Sequence, residues 1–246
     1  MSASGPDTGA IASPTLVFIH GSGDSKHVWD ALIEHLPEFQ CIALDLPGHG
    51  ELADRPGPAD MSVRDYADSV RAELRRRNMS GVCIIGHSLG SAITLRLAVE
   101  YPSLASRLVL VGAGARLRVL PALLDDARSQ PAVAKRHLVD LGLAEAHANV
   151  ARSLEVSAAS VANGVLYRDL AACNAFDMMD ELARVAQPTL VIVGTEDRLT
   201  PPKYATYLRD HLPSAQLATI DNAGHYVAIE QPQHFADAIR AWLTTV

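Results

Sequence analysis

The sequence has few basic residues for its length. Lys and Arg number 21 against 28 Asp and Glu in 246 residues, which gives a formal net charge of −7. Nucleic acid and anionic membrane surfaces attract proteins with a basic face, so this balance argues against both as partners. The run Arg75–Arg77 ends a predicted helix, where positive charge complements the negative end of the helix dipole.

The sequence also lacks a long apolar run. No stretch of about 18 apolar residues occurs, which predicts that the chain does not insert into a membrane. The first fourteen residues are small and polar, without the basic and then apolar order of a secretory signal. We therefore expect a soluble, cytoplasmic protein that is a monomer or a small homo-oligomer.

Cysteine is scarce, with three residues at positions 41, 83 and 173. Cys41 and Cys83 lie in apolar, strand-like runs, where a small buried thiol is the default. An odd number of cysteines does not support a disulfide framework, and no grouping of His, Asp or Glu has metal-ligand spacing. The sequence predicts neither a metal site nor a bound cofactor.

Short apolar runs alternate with helical patterns along most of the chain. Continuous apolar runs suit strands covered on both faces, as in a parallel sheet. Apolar residues recur at helical spacing from Val63 to Leu74 and again from Phe235 to Trp242. This order predicts an α/β fold: a doubly wound, mostly parallel sheet of about six strands with helices on both faces. The runs are Thr15–Ile19, Cys41–Leu44, Val82–Ile85, Leu108–Val111, Leu190–Val193 and Gln216–Ile220.

The interval from residue 113 to residue 186 breaks this alternation. It shows no clear strand pattern and consists of Ala-rich and Leu-rich stretches interrupted by Pro121, Pro131, Gly142 and Gly164. A structureless loop of that length is implausible in a compact domain, so we expect several helices that form a cap over one end of the sheet. The predicted organisation is an N-terminal tail (1–14), a core (15–112 and 187–246) and a helical cap insertion (113–186).

The segment Gly86–Gly90 (GHSLG) fits the pattern G-x-S-x-G, in which a serine occupies a sharp turn between a strand and a helix. An apolar run precedes the segment, and a helical pattern from Ser91 to Glu100 follows it, as this turn requires. The glycines leave room for close approach of neighbouring backbone. The pattern predicts Ser88 as a nucleophile. The alternative is that Ser88 only caps the helix.

Ten histidines are candidates for the base that would activate Ser88. His225 follows the last apolar run, which places it at the same carboxyl edge of the sheet as Ser88. Asp197 follows the fifth run, where a carboxylate would orient the imidazole and stabilise its charged form. Serine, acid and histidine in this chain order form one of the known catalytic triads. The alternatives are that Glu196 is the acid or that Asp197 only caps its loop.

Acyl transfer also needs two N–H donors aimed at the oxygen that becomes negative. The pattern predicts the amide of Leu89, directly after the nucleophile, and the amide of Ser22 in the loop after the first apolar run. An ordinary glycine-rich turn is the alternative for that loop, in which His20 is expected to form fixing hydrogen bonds. The residues predicted to line the substrate pocket are Gly21, Trp29 and His87.

These motifs make the chain resemble the α/β-hydrolase superfamily over almost its whole length. Within the superfamily it is similar to small bacterial carboxylesterases with a helical cap, in segments 114–119 and 197–202. The resembling motifs are His20–Ser22 with Trp29 (oxyanion loop), Asp45–Gly50 (the next family loop), Gly86–Gly90 (nucleophile elbow), Gly194–Asp197 (acid loop) and Gly224–His225 (histidine loop).

Two features depart from the family pattern. The family fold usually begins with an antiparallel pair of strands, whereas fourteen residues precede Thr15, so those strands are expected to be missing. The elbow continues as Gly90-Ser91, where many relatives have a second glycine. This second departure alters helix packing and leaves the chemistry unchanged.

The resemblance implies a serine carboxylesterase that hydrolyses short-to-medium-chain esters through an acyl-enzyme. Carbon–carbon bond hydrolases, lactonases and perhydrolases share the triad and stay open as alternatives, as does a triad-bearing small-molecule receptor with slow turnover. A serine nucleophile excludes dehalogenase and epoxide hydrolase chemistry. Arg116 and Arg118 are expected to pair with acids such as Asp125 or Asp126. The alternative is that they bind a substrate carboxylate.

Overall fold

A computed structural model describes residues 13–150, Leu154 and 161–246. The strands are β1 (Leu16–Ile19), β2 (Cys41–Leu44), β3 (Val82–His87), β4 (Ala105–Val111), β5 (Thr189–Gly194) and β6 (Ala215–Ile220). They form one sheet in the order β2-β1-β3-β4-β5-β6, and all neighbouring pairs are parallel. The α/β class and the sheet of about six strands are therefore confirmed. The predicted N-terminal tail lies outside the described residues, except for its last two positions.

The helices connect successive strands and cover both faces of the sheet. The α-helices are α1 (Asp30–Glu34), α2 (Val63–Arg76), α3 (Leu89–Glu100), α4 (Pro121–Ser129), α5 (Pro131–Gly142), α6 (Val165–Ala175), α7 (Pro202–His211), α8 (Val227–Glu230) and α9 (Pro232–Leu243). Short 3-10 helices occupy Lys26–Trp29, Gly50–Leu52, Glu145–Val150 and Met179–Arg184. Within the described part of the chain, no helix is long and apolar enough to cross a membrane.

Alternate strand residues enter two separate apolar layers. Val17 and Ile19 of β1 join the layer that contains α2, α3 and α7, whereas Leu16 and Phe18 join the layer of α1 and α9. Both layers are needed because successive side chains of a strand point to opposite faces. Full burial of each such side chain contributes about 1.5–3 kcal/mol to folding. The sheet is thereby fixed from both sides, and its carboxyl edge becomes a rigid base for loops.

The residues between β4 and β5 are called here the inserted segment, and those of them that the structure describes are largely helical. Proline at the first position of α4 and of α5 starts each helix, because its fixed φ suits that position. α4, α5 and α6 pack on one another through an apolar cluster that includes Leu123, Leu138 and Leu170. The inserted segment therefore has a small core of its own above the carboxyl edge of the sheet.

Candidate active site

Ser88 lies in the turn between β3 and α3, with φ 53° and ψ −115°. A positive φ costs a residue other than glycine about 1–3 kcal/mol, so it persists only where the surroundings hold it. The Ser88 N–H donates to the Val111 carbonyl at 2.9 Å, which extends the pairing of β3 and β4 into the turn. The Ser91 hydroxyl donates to the Ser88 carbonyl at 2.6 Å. The turn presents half-buried Ser88 at the carboxyl edge of the sheet.

Gly86 and Gly90 are required around Ser88 because backbone atoms approach them closely. A Cβ on Gly86 would lie 2.2 Å from the Gly90 carbonyl oxygen, and a Cβ on Gly90 would lie 2.2 Å from the Ile19 carbonyl oxygen. A Cβ on Gly21 would lie 3.1 Å from the Cβ of Ser88. These contacts bring the loop after β1 against the turn at Ser88.

His225 and Asp197 form a buried pair in which His225 Nδ1 donates to Asp197 Oδ2 at 2.9 Å. Asp197 Oδ1 accepts the N–H groups of Leu199 at 2.9 Å and Thr200 at 2.7 Å. Burial acts to raise the pKa of Asp197, but His225 and the bonds from Thr200 hold that pKa below its ordinary value. Asp197 is therefore a carboxylate at neutral pH and can orient His225. The rival Glu196 is exposed.

Thr200 belongs to this site, although the sequence pattern did not indicate it. Its hydroxyl donates to Asp197 Oδ2 at 2.7 Å and lies 3.1 Å from His225 Nδ1. The available signal is its position three residues after the acid, a spacing at which backbone and hydroxyl donors can both reach an aspartate carboxylate. Thr200 thus contacts both members of the pair.

Glu230 fixes the loop that carries His225. Its buried carboxylate accepts the N–H groups of Gly224 and Tyr226, both at 3.0 Å, which are the chain neighbours of His225. Each of these bonds involves a charged acceptor, so it is stronger than a bond between neutral groups. The loop is therefore held at the residue before His225 and at the residue after it. The sequence pattern did not indicate Glu230 either.

The two amides predicted as oxyanion donors lie beside the turn at Ser88. Leu89 is the first residue of α3, so its N–H has no partner within the helix and lies at the positive end of the helix dipole. Ser22 lies in the loop after β1. His20 bonds to the Gly21 carbonyl and to the Leu46 N–H, so it fixes this loop as expected.

A cavity of about 350 Å³ lies between the sheet edge and the inserted segment. Ser88, His225 and Ser22 are among the residues that line it. A concave site whose walls are mostly apolar, with polar and charged side chains such as Arg118 and Arg198 among them, suits a small organic ligand. The apolar walls include Leu117, Leu123, Leu138, Leu170 and Leu199.

Of the residues predicted to line the pocket, His87 does so, and Gly21 and Trp29 do not. Gly21 packs against His87 and Ser88 behind the cavity wall. Trp29 is fully buried and packs on Phe18, with ring centres 5.2 Å apart. A large ring gains most when it is removed entirely from water, which is why Trp29 lies in the core below His87. The prediction for these two residues is corrected accordingly.

His87 is an uncharged wall residue. Its Nε2–H donates to the His225 carbonyl at 3.0 Å, and the two rings are 4.6 Å apart at their centres. Burial first, and then the neighbouring His225, hold the pKa of His87 well below the ordinary value. His87 therefore stays neutral at neutral pH and holds the loop of His225 in place.

Arg116 and Arg118 pair with Asp177, at 3.8 Å and 3.5 Å, instead of Asp125 or Asp126. The expectation about Asp125 and Asp126 is therefore wrong. An antiparallel bridge joins Arg116 to Asp177, and this contact between distant positions brings the acid to both arginines. Arg118 also lines the mouth of the cavity.

Known proteins resemble this chain over nearly its whole length. The model of the alpha/beta hydrolase family matches residues 16–238. An uncharacterised protein of Mycobacterium tuberculosis is 31% identical over 96% of this chain and 77% of its own length. The pimeloyl-[acyl-carrier protein] methyl ester esterase of Neisseria meningitidis is 28% identical, and 93% of each chain is covered. The solved structure of a thermophilic esterase has a TM-score of 0.79 and 31% identity, and it covers 95% of this chain and 90% of its own.

Two features of these matches decide the family. The matched region runs from the first strand of the sheet to the last helix, so it includes every loop that carries a candidate site residue. The M. tuberculosis protein is also similar over almost all of this chain. The chain belongs to the alpha/beta hydrolase family.

Proposed function

We propose that the protein is a serine carboxylesterase with Ser88 as nucleophile, His225 as base and Asp197 as orienting acid. The observation that carries the proposal is the 2.9 Å bond between buried Asp197 and His225, at a cavity that Ser88 also lines. The positive φ of Ser88 supports it, since a strained turn is how this fold exposes a nucleophile. Relatives described as esterases support an ester as the bond that is cleaved.

In acylation, His225 removes the hydroxyl proton of Ser88 while Oγ attacks the ester carbonyl carbon. The amides of Leu89 and Ser22 donate to the resulting oxyanion, and Asp197 stabilises the charged imidazole. The proton then passes from His225 to the leaving alkoxide as the ester C–O bond breaks. The alcohol departs, and the acyl group stays on Ser88.

In deacylation, His225 takes a proton from a water molecule as the water oxygen attacks the acyl carbon. The same two amides hold the second oxyanion. The bond to Ser88 Oγ breaks, the proton returns from His225 to Oγ, and the carboxylic acid leaves. The free enzyme is restored without any cofactor.

The inserted segment is the cap of this esterase in our proposal. Its leucines form the apolar wall of the cavity, where the acyl chain of the substrate would lie. A cavity of about 350 Å³ accommodates short-to-medium acyl chains. The proposed substrates are accordingly monoesters of such acids.

Hydrolysis of p-nitrophenyl butyrate by wild type and by Ser88→Ala tests the proposal. We expect the variant to lose at least about 10³-fold in kcat while its thermal unfolding stays unchanged. A fluorophosphonate should label Ser88, and mass spectrometry of the modified peptide would identify the site. Turnover by Ser88→Ala near the wild-type rate would refute the nucleophile. A panel with a lactone and a dienone acid separates the related hydrolases, and a single slow turnover would favour a receptor.

A further inference from the structure

A buried carboxylate of the inserted segment lies against the oxyanion loop. Asp169 on α6 is fully buried. Its Oδ2 accepts the Gly23 N–H and the His49 Nε2–H, both at 2.9 Å, and its Oδ1 accepts the hydroxyl of Tyr66. A buried charge costs several kcal/mol unless its oxygens are satisfied, so these donors stabilise Asp169 where it is. The carboxylate thereby joins α6 to the loops that follow β1 and β2.

His49 is the charged partner of Asp169. Its ring meets an acceptor on each side, since Nε2 donates to Asp169 and Nδ1 donates to the Pro47 carbonyl at 3.1 Å. A ring that donates twice is protonated. Burial acts to lower the pKa of His49, but the charge and hydrogen bond of Asp169 outweigh it and raise that pKa. Burial likewise acts to raise the pKa of Asp169, but the charge and hydrogen bond of His49, together with the bonds from Tyr66 and Gly23, outweigh burial and lower that pKa.

His20 precedes Ser22 by two residues in the same loop and is uncharged. Its Nδ1–H donates to the Gly21 carbonyl at 2.8 Å, and its Nε2 accepts the Leu46 N–H at 3.1 Å. A nitrogen that accepts carries no proton, so this ring is neutral. Burial first, and then charged His49 with its ring centre 4.8 Å away, lower the pKa of His20 to about 3.

Both peptide groups of Ser22 are therefore held. The Gly21 carbonyl and the Ser22 N–H belong to one planar peptide, so the bond from His20 to that carbonyl fixes and polarises the N–H. The Gly23 N–H belongs to the next peptide, which Asp169 holds. We propose that Asp169 is a positioning residue for the oxyanion hole and acts with His20 to aim the Ser22 N–H. This inference rests on the role of Ser22 in the proposed esterase mechanism.

A second contact from α6 supports the same role. The sulfur of Cys173 lies 3.6 Å from the hydroxyl of Ser22. Asp169 and Cys173 are four residues apart, so they share one face of the helix. Because α6 belongs to the inserted segment, the oxyanion hole is complete only when this helix is docked on the core. The cap therefore supports the chemistry in addition to enclosing the acyl chain.

Asp169→Ala tests this role, because it removes the acceptor for the Gly23 N–H. Complete loss of an oxyanion donor costs about 10²–10³ in kcat, so a misaimed donor should cost about 10- to 100-fold. We expect KM for p-nitrophenyl butyrate to stay within about twofold. A trifluoromethyl ketone forms an adduct whose oxygen occupies the hole, and its affinity should fall by the same factor as kcat. A merely structural role would lower the melting temperature without this parallel loss.

A rescue variant and a control accompany it. The double variant Asp169→Asn/His49→Gln keeps an acceptor for the Gly23 N–H and a donor in place of the His49 ring, and it removes the opposite charges of Asp169 and His49 together. Its kcat should return to within about threefold of wild type. Glu181→Gln is a matched carboxylate-to-amide change in the same inserted segment, and it removes an ion pair with Arg96 at 3.1 Å. This control should keep wild-type kcat.

If Asp169→Ala fails to fold, as shown by the absence of a cooperative unfolding transition, Asp169→Glu is measured in its place. This variant keeps the charge and moves the acceptor by one methylene. The positioning role is overturned if the folded variant keeps kcat and inhibitor affinity, or if kcat falls while inhibitor affinity does not. Ser88→Ala, measured in parallel, separates the two proposals. Activity that persists in Ser88→Ala refutes the esterase mechanism. An inactive Ser88→Ala beside an unimpaired Asp169 variant refutes only the positioning role.

Discussion

Thr200 shows how a single hydroxyl can support an acid–base pair, because it bonds Asp197 and also lies beside the ring of His225. Thr200→Val keeps the shape of the side chain and removes the hydroxyl. A hydrogen bond to a charged group contributes about 1.5–3 kcal/mol, so the free energy of unfolding should fall by that amount. If about 1.4 kcal/mol of this hydrogen-bond energy stabilises the transition state, its removal lowers kcat about tenfold. Urea unfolding and steady-state kinetics measure the two effects.

Thr206→Val is the control for this prediction. The Thr206 hydroxyl donates at 3.2 Å to the Pro202 carbonyl within α7, and this neutral bond involves neither Asp197 nor His225. We expect a loss of stability of about 1 kcal/mol and no change in kcat. A Thr200→Val variant with the kcat of this control would show that the hydroxyl plays no part in catalysis.

His20 makes stability depend on pH. Its pKa is lowered to about 3 in the folded protein, against about 6.5 in an unfolded chain. Between these values the unfolded state binds a proton that the folded state does not, so stability falls as the pH falls below about 6.5. The slope is at most about 1.4 kcal/mol per pH unit for this residue. Above pH 6.5 both states are neutral, and His20 contributes no slope.

His20→Asn tests this pH dependence. Its amide keeps a donor for the Gly21 carbonyl and has no ionisable group. We expect urea unfolding of wild type to lose more stability between pH 6.5 and pH 5 than unfolding of the variant does, by up to about 2 kcal/mol. Equal slopes for the two proteins would mean that His20 is protonated in the folded state or is already neutral in the unfolded chain.

At the scale of elements, the unit of β3, turn and α3 could be predicted from sequence because its determinants are local. The apolar run, the two glycines and the helical pattern lie within twenty residues. The helix begins at Leu89, two residues before the predicted Ser91. The reason is that only Ser88 leaves regular geometry, with φ 53°, so strand and helix meet at that one residue.

The scaffold around the site could not be predicted, because its contacts join distant elements. Asp169 and His49 are 120 positions apart, and α6 showed only a generic helical pattern within the inserted segment. Glu230 bonds to backbone amides, and every residue except proline has one, so a residue pattern cannot show which amides this carboxylate reaches. Trp29 is a different case. The resemblance of His20–Ser22 with Trp29 to the family's oxyanion loop indicated the pocket, whereas the ring of Trp29 is buried in the core.

At the scale of the whole molecule, the places where apolar surface is buried show which part of the chain fixes the strands and which part encloses the cavity. The two layers beside the sheet fix the strands and leave the loops at the carboxyl edge to carry polar groups. The third cluster belongs to α4, α5 and α6, and side chains at its margin also line the cavity. The proposed acyl pocket therefore depends on packing within the inserted segment, whereas Ser88, Asp197 and His225 lie on loops that follow strands of the sheet.

This division predicts that acyl-chain selectivity can be changed without changing the chemistry. Each buried methylene contributes about 0.8 kcal/mol, so kcat/KM for p-nitrophenyl esters should rise up to about fourfold per added methylene until the cavity is full, and then fall. Leu138 belongs to the cluster of the inserted segment and also lines the cavity. Leu138→Phe should shift the optimum to a shorter chain, while activity on the acetate ester stays within about twofold.

Leu124→Phe provides the matched control on α4, because Leu124 packs against the same cluster and is not part of the cavity wall. It should keep the wild-type optimum even if it costs about 1–3 kcal/mol of stability through overpacking. A series of esters from acetate to decanoate, assayed with all three proteins, gives the optimum of each. An unchanged optimum in Leu138→Phe would place the acyl chain elsewhere. A parallel loss on every ester, including acetate, would show instead that the inserted segment acts on the reacting groups, as it does through Asp169 in our proposal for the oxyanion hole.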